Sequence, residues 1–303
     1  MDPALLDPKT ANVLYHDFEA DSYDAKWSIS FDERCIAYAR DRFVHVAGRD
    51  GWPYPRALEV GAGTGFFLLN LAQAGVVGAG HVTDISPGMV AAAERNAAAL
   101  GYDVEGRVAD AEQLPYDDGS FDLVVGHAML HHVPDVDRAL GEVLRVLRPG
   151  GRFVFCGEPT RYGDVVARRL SRATWWTTMR LTHVPALRER WSRPHDELRA
   201  SSHAAALESV VDLHTFVPSE LARTAVRAGA VDVRTVTEEL TAAWFGWPVR
   251  TFEHAVNPDR LGWGWALFAY RSWLRLSAVD RTVLARVVPP GLFYNVSMTG
   301  VRP

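Results

Sequence analysis

The chain has 303 residues, of which 48% are hydrophobic and 23% are charged, and its formal net charge is −5. These values are typical of a soluble globular protein with one large α/β domain or two small ones, and the negative charge gives no attraction to nucleic acid. No apolar run approaches the roughly 18 residues that a membrane span needs. Because the N-terminus has no apolar signal core and the two cysteines suggest no disulfide framework, we expect a cytoplasmic location.

The hydrophobic pattern predicts helices first and then an alternation of strands and helices. The spacing of apolar residues predicts helices in 10–50. From residue 55 it predicts short apolar strands with helices between them. Strands are predicted at 57–60, 81–84, 104–108, 121–126 and 151–157, and helices at 66–73, 87–100 and 136–147. This alternation predicts a mainly parallel, doubly wound sheet whose ligands bind beyond the carboxyl ends of its strands.

A glycine-rich turn follows the first of these strands. Gly61, Gly63 and Gly65 alternate along it, and glycine permits positive φ and a close approach of the backbone to a ligand. The helix that follows offers unpaired N–H groups at its start. Glu59 lies two residues before the turn, where an acid disfavours a phosphate but favours a cationic group. The turn therefore predicts a nucleoside ligand that carries a positive charge and no phosphate.

The alternative is the dinucleotide fingerprint Gly-x-Gly-x-x-Gly. Gly61 and Gly63 match its first two positions, but the third falls on Phe66 because the glycine lies one residue earlier, at Gly65. Asp84, at the end of the second strand, would bind ribose hydroxyls in either case. An ordinary strand-to-helix turn is the third interpretation.

Six sequence blocks between about residues 55 and 159 resemble the class I S-adenosylmethionine (SAM)-dependent methyltransferases, and most closely the group that includes the quinone-biosynthesis methyltransferases. The blocks are LEVGAGTG at 58–65, VTDIS at 82–86, ADAEQLP at 109–115, SFDLVV at 120–125, LHHV at 130–133 and LRVLRPGG at 144–151, in the order of the family. The resemblance implies a Rossmann-like α/β fold with a doubly wound seven-stranded sheet, in which the last strand is antiparallel. It also implies SAM as cofactor and S-adenosylhomocysteine as its product.

The alternation breaks after Pro159, and the resemblance guides the division of the chain. Further strands are assigned to 231–236 and 292–300. The expected domains are an N-terminal helical lid at 1–50, a SAM-binding core at 51–160, a helical insertion at 161–212, a core helix and strand at 213–239, an aromatic-rich helical insertion at 240–290 and a final core strand at 291–303. The two insertions are expected to cap the methyl acceptor.

The resemblance assigns cofactor contacts to several residues. Glu59 and the glycine turn would hold the amino-acid end of SAM, Asp84 would accept hydrogen bonds from both ribose hydroxyls, and Asp110 would bind the adenine amino group. The full set of expected cofactor-binding residues is Tyr23, Glu59, Gly61, Ala62, Gly63, Gly65, Asp84, Ile85, Met89, Asp110, Ala111 and His127. Within it, Ala111 would donate its N–H to the adenine ring, which Ile85 and Met89 would flank.

Methyl transfer requires alignment of the acceptor with the methyl group, and a hydroxyl acceptor is helped by a general base. His131 and His132 follow the fourth strand and titrate in a suitable range. Because successive residues at a strand end point in opposite directions, we expect one of them, His131, to face the pocket. Glu158, at the end of the fifth strand, is a second candidate base. No metal site is predicted.

The second half of the chain is expected to select the acceptor. Eight of the ten tryptophans lie after residue 160, which favours a bulky or apolar small molecule. The first hypothesis is O-methylation of a hydrophobic metabolite of secondary metabolism, a lipid or a glycoside; the others are C-methylation of a quinone-type ring and a non-catalytic SAM-binding scaffold. The arginine-rich stretch 161–199 is either a solvated helix face or a peripheral membrane contact. Nucleic acid is not an expected partner, and the oligomeric state stays open.

Overall fold

The computed structural model describes residues 7–194 and 211–303, so part of the predicted insertion 161–212 lies outside the described residues. The described chain falls into two compact units. The first comprises residues 7–158, 211–236 and 297–303, and the second comprises residues 159–194 and 237–296. Among the described helices, none combines the length and the hydropathy that crossing a membrane requires.

A seven-stranded sheet organises the fold, with strand order β3-β2-β1-β4-β5-β7-β6. The strands are β1 Tyr54–Val60, β2 Val77–Asp84, β3 Val104–Val108, β4 Phe121–His127, β5 Leu147–Pro159, β6 Val231–Glu238 and β7 Asn295–Val301. β1 to β5 pair in parallel, and their register brings Glu59 beside both Val82 and Val125. The carboxyl ends of β1, β2 and β4 therefore meet at one edge of the sheet, where the predicted ligand site lies.

The last strand runs antiparallel to β5. The N–H of Gly150 donates to the carbonyl of Arg302, whereas farther along the Thr299 hydroxyl donates to the carbonyl of Phe153. Residue numbers thus rise on one strand as they fall on the other. The fold class that the resemblance implied is confirmed, with its seven strands and its antiparallel last strand.

The helices follow the predicted alternation in the first half of the chain. They are α1 Pro8–Glu19, α2 Tyr23–Trp27, α3 Glu33–Ala47, α4 Phe66–Gln73, α5 Pro87–Ala99, α6 Val136–Val146, α7 Arg161–Thr182, α8 Pro185–Trp191, α9 Pro218–Arg227, α10 Thr241–Ala255 and α11 Trp263–Thr282. α5 shows why the boundaries could be predicted, because Ser86 caps the N–H of Met89 and Pro87 occupies the first turn.

Several strand boundaries differ from the prediction. β1 begins at Tyr54 instead of residue 57, and β2 begins at Val77 instead of residue 81. β5 begins at Leu147 instead of residue 151, since the strand continues through Pro149 and Gly150 to pair with β7. The predicted strand 292–300 begins only at Asn295, because Pro290–Leu292 forms a 3-10 turn that cannot join a sheet ladder.

The core of the first unit fixes the strand ends. Phe43 of α3, Phe67 of α4 and Leu123 of β4 are fully buried in one apolar cluster. Burying side chains of this size contributes about 1.5–3 kcal/mol each relative to leaving them exposed. This packing anchors α3 and α4 on the sheet and leaves little freedom to the turn between β1 and α4.

The second unit contains α7, α8, α10 and α11. The carboxylate of Asp280 in α11 is buried and accepts hydrogen bonds from the N–H groups of Leu240, Thr241 and Ala242, so it satisfies the first turn of α10. An open apolar cavity of about 340 Å³ also lies within this unit. It is lined by Thr178, Leu181, Thr182, Leu187, Trp191, Phe252 and Val256.

Candidate active site

The glycine turn between β1 and α4 has the conformation that its sequence predicts. Gly61, Gly63 and Gly65 have φ values of 61°, 52° and 83°, which side chains rarely tolerate. A Cβ atom on Gly61 would lie 2.7 Å from the Cβ of Met129, so the turn packs closely against the segment after β4. At Gly63 the nearest atom to such a Cβ would be 3.9 Å away, on the ring of Tyr23. The turn thus presents bare backbone beside an aromatic ring.

Asp84 lies at the carboxyl end of β2 and is oriented by the backbone. Its carboxylate accepts hydrogen bonds from the N–H groups of Gly63 and Ser86, both at 2.9 Å. Burial raises the pKa of Asp84, although these hydrogen bonds act in the opposite direction. The glycine turn and the start of α5 therefore hold this acid between them.

Glu59, which was expected to hold the amino-acid end of the cofactor, is buried against the start of α4. Its side chain is only 1% exposed, and its Oε2 atom accepts the N–H of Leu68 at 3.0 Å, within the first turn of α4. Burial, with a smaller contribution from the neighbouring Asp84, raises the pKa of Glu59 to about 8, although the N–H groups at the start of α4 act in the opposite direction. The acid beside the glycine turn thus supports the start of the helix, a contact that the sequence interpretation did not foresee.

Asp110 is joined to the N-terminal helix α1. The Nζ atom of Lys9 lies 2.6 Å from Asp110 Oδ2 and 2.7 Å from Glu112 Oε2. Sequence reasoning missed this contact, although Lys9 was a visible signal as one of only two lysines in the chain. The residue expected to bind adenine is therefore also an ion-pair partner of the predicted lid.

The remaining expected cofactor residues differ in their exposure. Ala62 donates its N–H to the carbonyl of Thr83, and Ile85 and Ala111 are half-buried near the same strand ends. Met89 is fully buried, so in this structure its side chain presents no surface to a ligand. The ring of His127 lies 3.3 Å from the Tyr38 hydroxyl, and burial lowers its pKa to about 4.

The two candidate histidines lie together after β4. Leu130–His132 forms a 3-10 turn, and the ring centroids of His131 and His132 are 3.9 Å apart. The expectation that they point in opposite directions was wrong, because it assumed extended backbone at this position. Helical backbone brings both rings to the same side.

Glu158, at the end of β5, holds this turn in place. It is fully buried and accepts hydrogen bonds from the N–H groups of Met129, Leu130 and His131, and from His131 Nδ1 at 2.8 Å. Burial by itself would raise the pKa of Glu158, but His131 and the backbone donors outweigh burial and lower it. An ionised carboxylate only accepts hydrogen bonds, so Nδ1 of His131 carries the proton and Nε2 is left as the basic nitrogen. Glu158 thus orients the imidazole.

A third segment, which the sequence did not indicate, completes the cluster. Asp212 Oδ1 lies 3.9 Å from His131 Nε2 and 3.6 Å from His132 Nδ1. His132 Nδ1 also lies 3.0 Å from the carbonyl oxygen of Val211. The N–H of Leu213 donates to the carbonyl of His131, which fixes this segment against the turn. Because Asp212 is about 80 positions away and stands in no recognisable motif, no sequence signal marked it.

Proteins of similar sequence are methyltransferases. Residues 58–155 match a family model described as a methyltransferase domain. The chain is 34% identical over 238 residues to the malonyl-[acyl-carrier protein] O-methyltransferase of Geobacter sulfurreducens, a match covering 75% of this chain and 82% of that protein. It is 44% identical over 103 residues to the demethylmenaquinone methyltransferase of Thermus thermophilus, covering 33% of this chain and 45% of that protein.

Solved structures are similar in fold. A phosphoethanolamine N-methyltransferase of Haemonchus contortus, in complex with S-adenosylhomocysteine, has a TM-score of 0.55 at 15% identity over 95% of this chain and 60% of that one. The geranyl diphosphate C-methyltransferase of Streptomyces coelicolor has a TM-score of 0.51 at 18% identity over 88% of this chain and 79% of that one. At these identities the likeness concerns the fold alone.

The observations in this chain fit SAM. The glycine turn leaves backbone free of side chains, as a ligand lying against it requires, and Asp84 stands at the strand end where ribose hydroxyls bind. The coverage of the Geobacter protein and the matched domain establish the family. The chain belongs to the class I SAM-dependent methyltransferases, and it is a methyltransferase that uses SAM.

Proposed function

We propose that the protein transfers the methyl group of SAM to a hydroxyl oxygen of a bulky or apolar small molecule. The observation that carries this proposal is the pair of His131 and Glu158, in which a buried carboxylate accepts the Nδ1–H of an imidazole and thereby makes Nε2 the basic nitrogen. A hydroxyl acceptor needs such a base, whereas an electron-rich ring carbon needs it less. The extended similarity to an O-methyltransferase supports oxygen as the methylated atom.

The cofactor contacts expected from the sequence are proposed on the geometry of the strand ends. Asp84 would accept hydrogen bonds from the ribose hydroxyls, since its carboxylate already stands between the glycine turn and α5. The backbone from Gly61 to Gly65 and the ring of Tyr23 would flank the amino-acid end. Asp110 would receive the adenine amino group beside its ion pair with Lys9.

The chain's own residues would act on the acceptor as follows. When bound, SAM supplies an activated methyl group on a sulfonium. His131 would take the hydroxyl proton at Nε2 when the methyl group is transferred to the acceptor oxygen, so that the positive charge of the sulfonium would end on the imidazole. Glu158 stabilises the imidazolium through Nδ1 and keeps the ring in place. Met129 packs on Gly61, and this contact joins the 3-10 turn Leu130–His132, here called the histidine turn, to the glycine turn.

The test is to incubate the protein with SAM carrying a ¹³C-labelled methyl group and a panel of apolar phenols and alcohols, hydroxylated quinones and quinones. Release of S-adenosylhomocysteine with a methoxy carbon in the NMR spectrum of the product is the expected result. A carbon-bound methyl group would favour C-methylation of a quinone-type ring, the second candidate, which is supported by the similarity to a demethylmenaquinone methyltransferase.

A matched pair of variants separates the chemistry from cofactor binding. His131→Gln should lose methyl transfer while its affinity for SAM stays near that of the wild type. His183→Gln, on the exposed end of α7, is the control and should keep both. If no acceptor class yields S-adenosylhomocysteine although SAM binds, the proposal of an apolar hydroxyl acceptor fails.

A further inference from the structure

We propose that the second unit binds the surface of an anionic lipid bilayer through one exposed side of α7 and the adjoining helix α8. Positive charge is gathered in this unit: residues 159–194 and 237–296 contain 14 arginines and 7 acids, a formal charge of +7. Residues 1–158 contain 13 basic residues and 24 acids, a formal charge of −11. Basic segments are attracted to anionic lipid headgroups, so the charge favours such a partner for the second unit alone.

One side of α7 carries arginines and large apolar or aromatic side chains together. Residues that recur every three or four positions share one side of a helix. On α7 such a series is exposed to solvent along its whole length, and we call it the α7 face: Tyr162, Val165, Arg169, Arg172, Trp176 and Arg180. The other side of the helix holds the buried residues Gly163, Ala167, Thr178 and Thr182. Packing on the protein therefore orients the α7 face outwards.

The arginines of this surface are not neutralised by the protein. Arg168 is paired with Asp164 at 2.7 Å, but five other arginines of α7 and α8 form no ion pair with any described residue. These are Arg169, Arg172, Arg180, Arg188 and Arg190. The guanidinium of Arg180 lies 3.8 Å from the centroid of the Trp176 ring, which is 56% exposed. Tryptophan and tyrosine rings prefer the boundary between headgroups and acyl chains, where arginines can reach the phosphates.

The apolar surface continues from the end of α7 into α8. Leu181, Val184 and Leu187 are 55%, 44% and 38% exposed, and they follow one another between Arg180 and Arg188. Leu181 and Leu187 also line the open apolar cavity of about 340 Å³ in this unit. Exposed apolar side chains next to an open apolar cavity give acyl chains a surface to cover.

This combination decides between lipid, solvent and nucleic acid. A solvated helix face interleaves acids with basic residues, but the described residues 161–194 contain eight arginines and only two acids. A nucleic acid would pair with the arginines and leave Leu181, Val184 and Leu187 without an apolar partner. A bilayer of anionic lipids offers both phosphates and hydrocarbon, so it matches both parts of the surface. The inference does not rest on the proposed function, since it concerns neither the cofactor nor the methyl acceptor.

Flotation of the full chain with lipid vesicles tests the surface. The protein should float with vesicles of equal parts phosphatidylcholine and phosphatidylglycerol at low ionic strength, and it should stay in solution with vesicles of phosphatidylcholine alone. Binding should weaken as salt is added, because salt screens the attraction between arginines and headgroups. Equal binding to both kinds of vesicle, or to neither, would overturn the proposal.

A matched pair of double variants shows where the vesicles bind. Arg169→Gln with Arg172→Gln should weaken binding to the anionic vesicles by about 25-fold, at about fivefold for each arginine near the headgroups. The control is Arg95→Gln with Arg227→Gln, which changes the net charge equally at side chains of the first unit that are 61% and 58% exposed. It should bind as the wild type does. An equal loss in both double variants would mean that net charge acts without the α7 face, and it would contradict the proposal.

Tryptophan fluorescence gives a readout of the apolar contact. Vesicles that contain brominated acyl chains quench tryptophans that enter the bilayer, so they should quench the wild-type protein more than Trp176→Phe, in which that ring is replaced by a smaller one. Phe18→Ser, at an aromatic side chain of α1 that is 63% exposed, is the control and should be quenched as the wild type is. The same quenching in Trp176→Phe as in the wild type would overturn the α7 face as the contact. Tighter binding to a polyanion such as RNA than to the anionic vesicles would also overturn the assignment to lipid.

Discussion

Two fully buried glutamates, one at each side of the active site, behave in opposite ways. Glu59 lies under the glycine turn, and burial raises its pKa to about 8. Glu158 lies under the histidine turn, where burial acts in the same direction but His131 and the backbone N–H groups lower its pKa. Glu59 accepts N–H groups of α4 and faces another acid, Asp84, whereas Glu158 faces an imidazole. Burial alone therefore does not set the charge of a carboxyl group here; the partner does.

The comparison also explains why the two turns have different tasks. A glutamate that stays neutral near pH 7 can support the start of a helix without placing an uncompensated charge in the core. A glutamate that stays ionised can fix the tautomer of an imidazole and stabilise its protonated form. In the proposed function, the glycine turn binds the cofactor and the histidine turn moves a proton.

The largest effect is expected from Glu158→Gln. The amide cannot hold Nδ1–H of His131 as a carboxylate does, so methyl transfer should fall by about 10²–10⁴-fold, the range of general-base contributions. Turnover and the affinity for SAM, measured side by side, check this prediction. Unchanged turnover in the folded variant would mean that the hydrogen bond between the Glu158 carboxylate and His131 has no part in the chemistry.

The next effect concerns binding alone. Asp84→Asn removes the charge from the hydrogen bonds proposed to the ribose, each worth about 1.5–3 kcal/mol, so the affinity for SAM should fall by about 100-fold. Calorimetry with SAM measures this change, and circular dichroism checks the fold. Wild-type affinity in this variant would show that the acid at the end of β2 does not bind the cofactor.

The pH dependence of stability distinguishes the two glutamates directly. Folded Glu59 keeps its proton up to about pH 8, whereas the unfolded chain releases it near its usual value of 4.5. Between these two pH values the folded state therefore binds more protons than the unfolded chain. The contribution of Glu59 to the free energy of unfolding decreases as the pH rises through this range. Glu158, with its lowered pKa, contributes stability that is lost as the pH falls.

Glu59→Gln should remove the first of these dependences. Between pH 5.5 and 7.5 the free energy of unfolding of the wild type should decrease by about 2 kcal/mol more than that of the variant, at about 1.4 kcal/mol per pKa unit. Urea unfolding at several pH values measures the difference. Parallel curves for the two proteins would contradict a neutral, buried Glu59.

The smallest effect is expected at the partly exposed ion pairs of α1. Lys9→Met removes the ammonium group that pairs with Asp110 and Glu112. Because the Lys9 side chain is 36% exposed, solvent screens these two ion pairs. The free energy of unfolding should decrease by at most about 1 kcal/mol, with a difference that shrinks in high salt. A loss of several kcal/mol would show that this contact behaves like the buried ones.

The period of apolar residues and the turn chemistry of neighbouring residues determined the alternating strands and helices up to residue 159 and the position of the glycine turn. The last two strands of the sheet were assigned from the resemblance to the family, because the alternation breaks after Pro159. The sequence also placed Asp84, His131 and Glu158 at strand ends that share one edge of the sheet. Only the tertiary structure showed that both histidines point to one side, that Glu59 is buried under α4, and that Lys9 and Asp212 reach the site from 101 and about 80 positions away. Such pairings arise from packing between distant segments, and no local spacing encodes them.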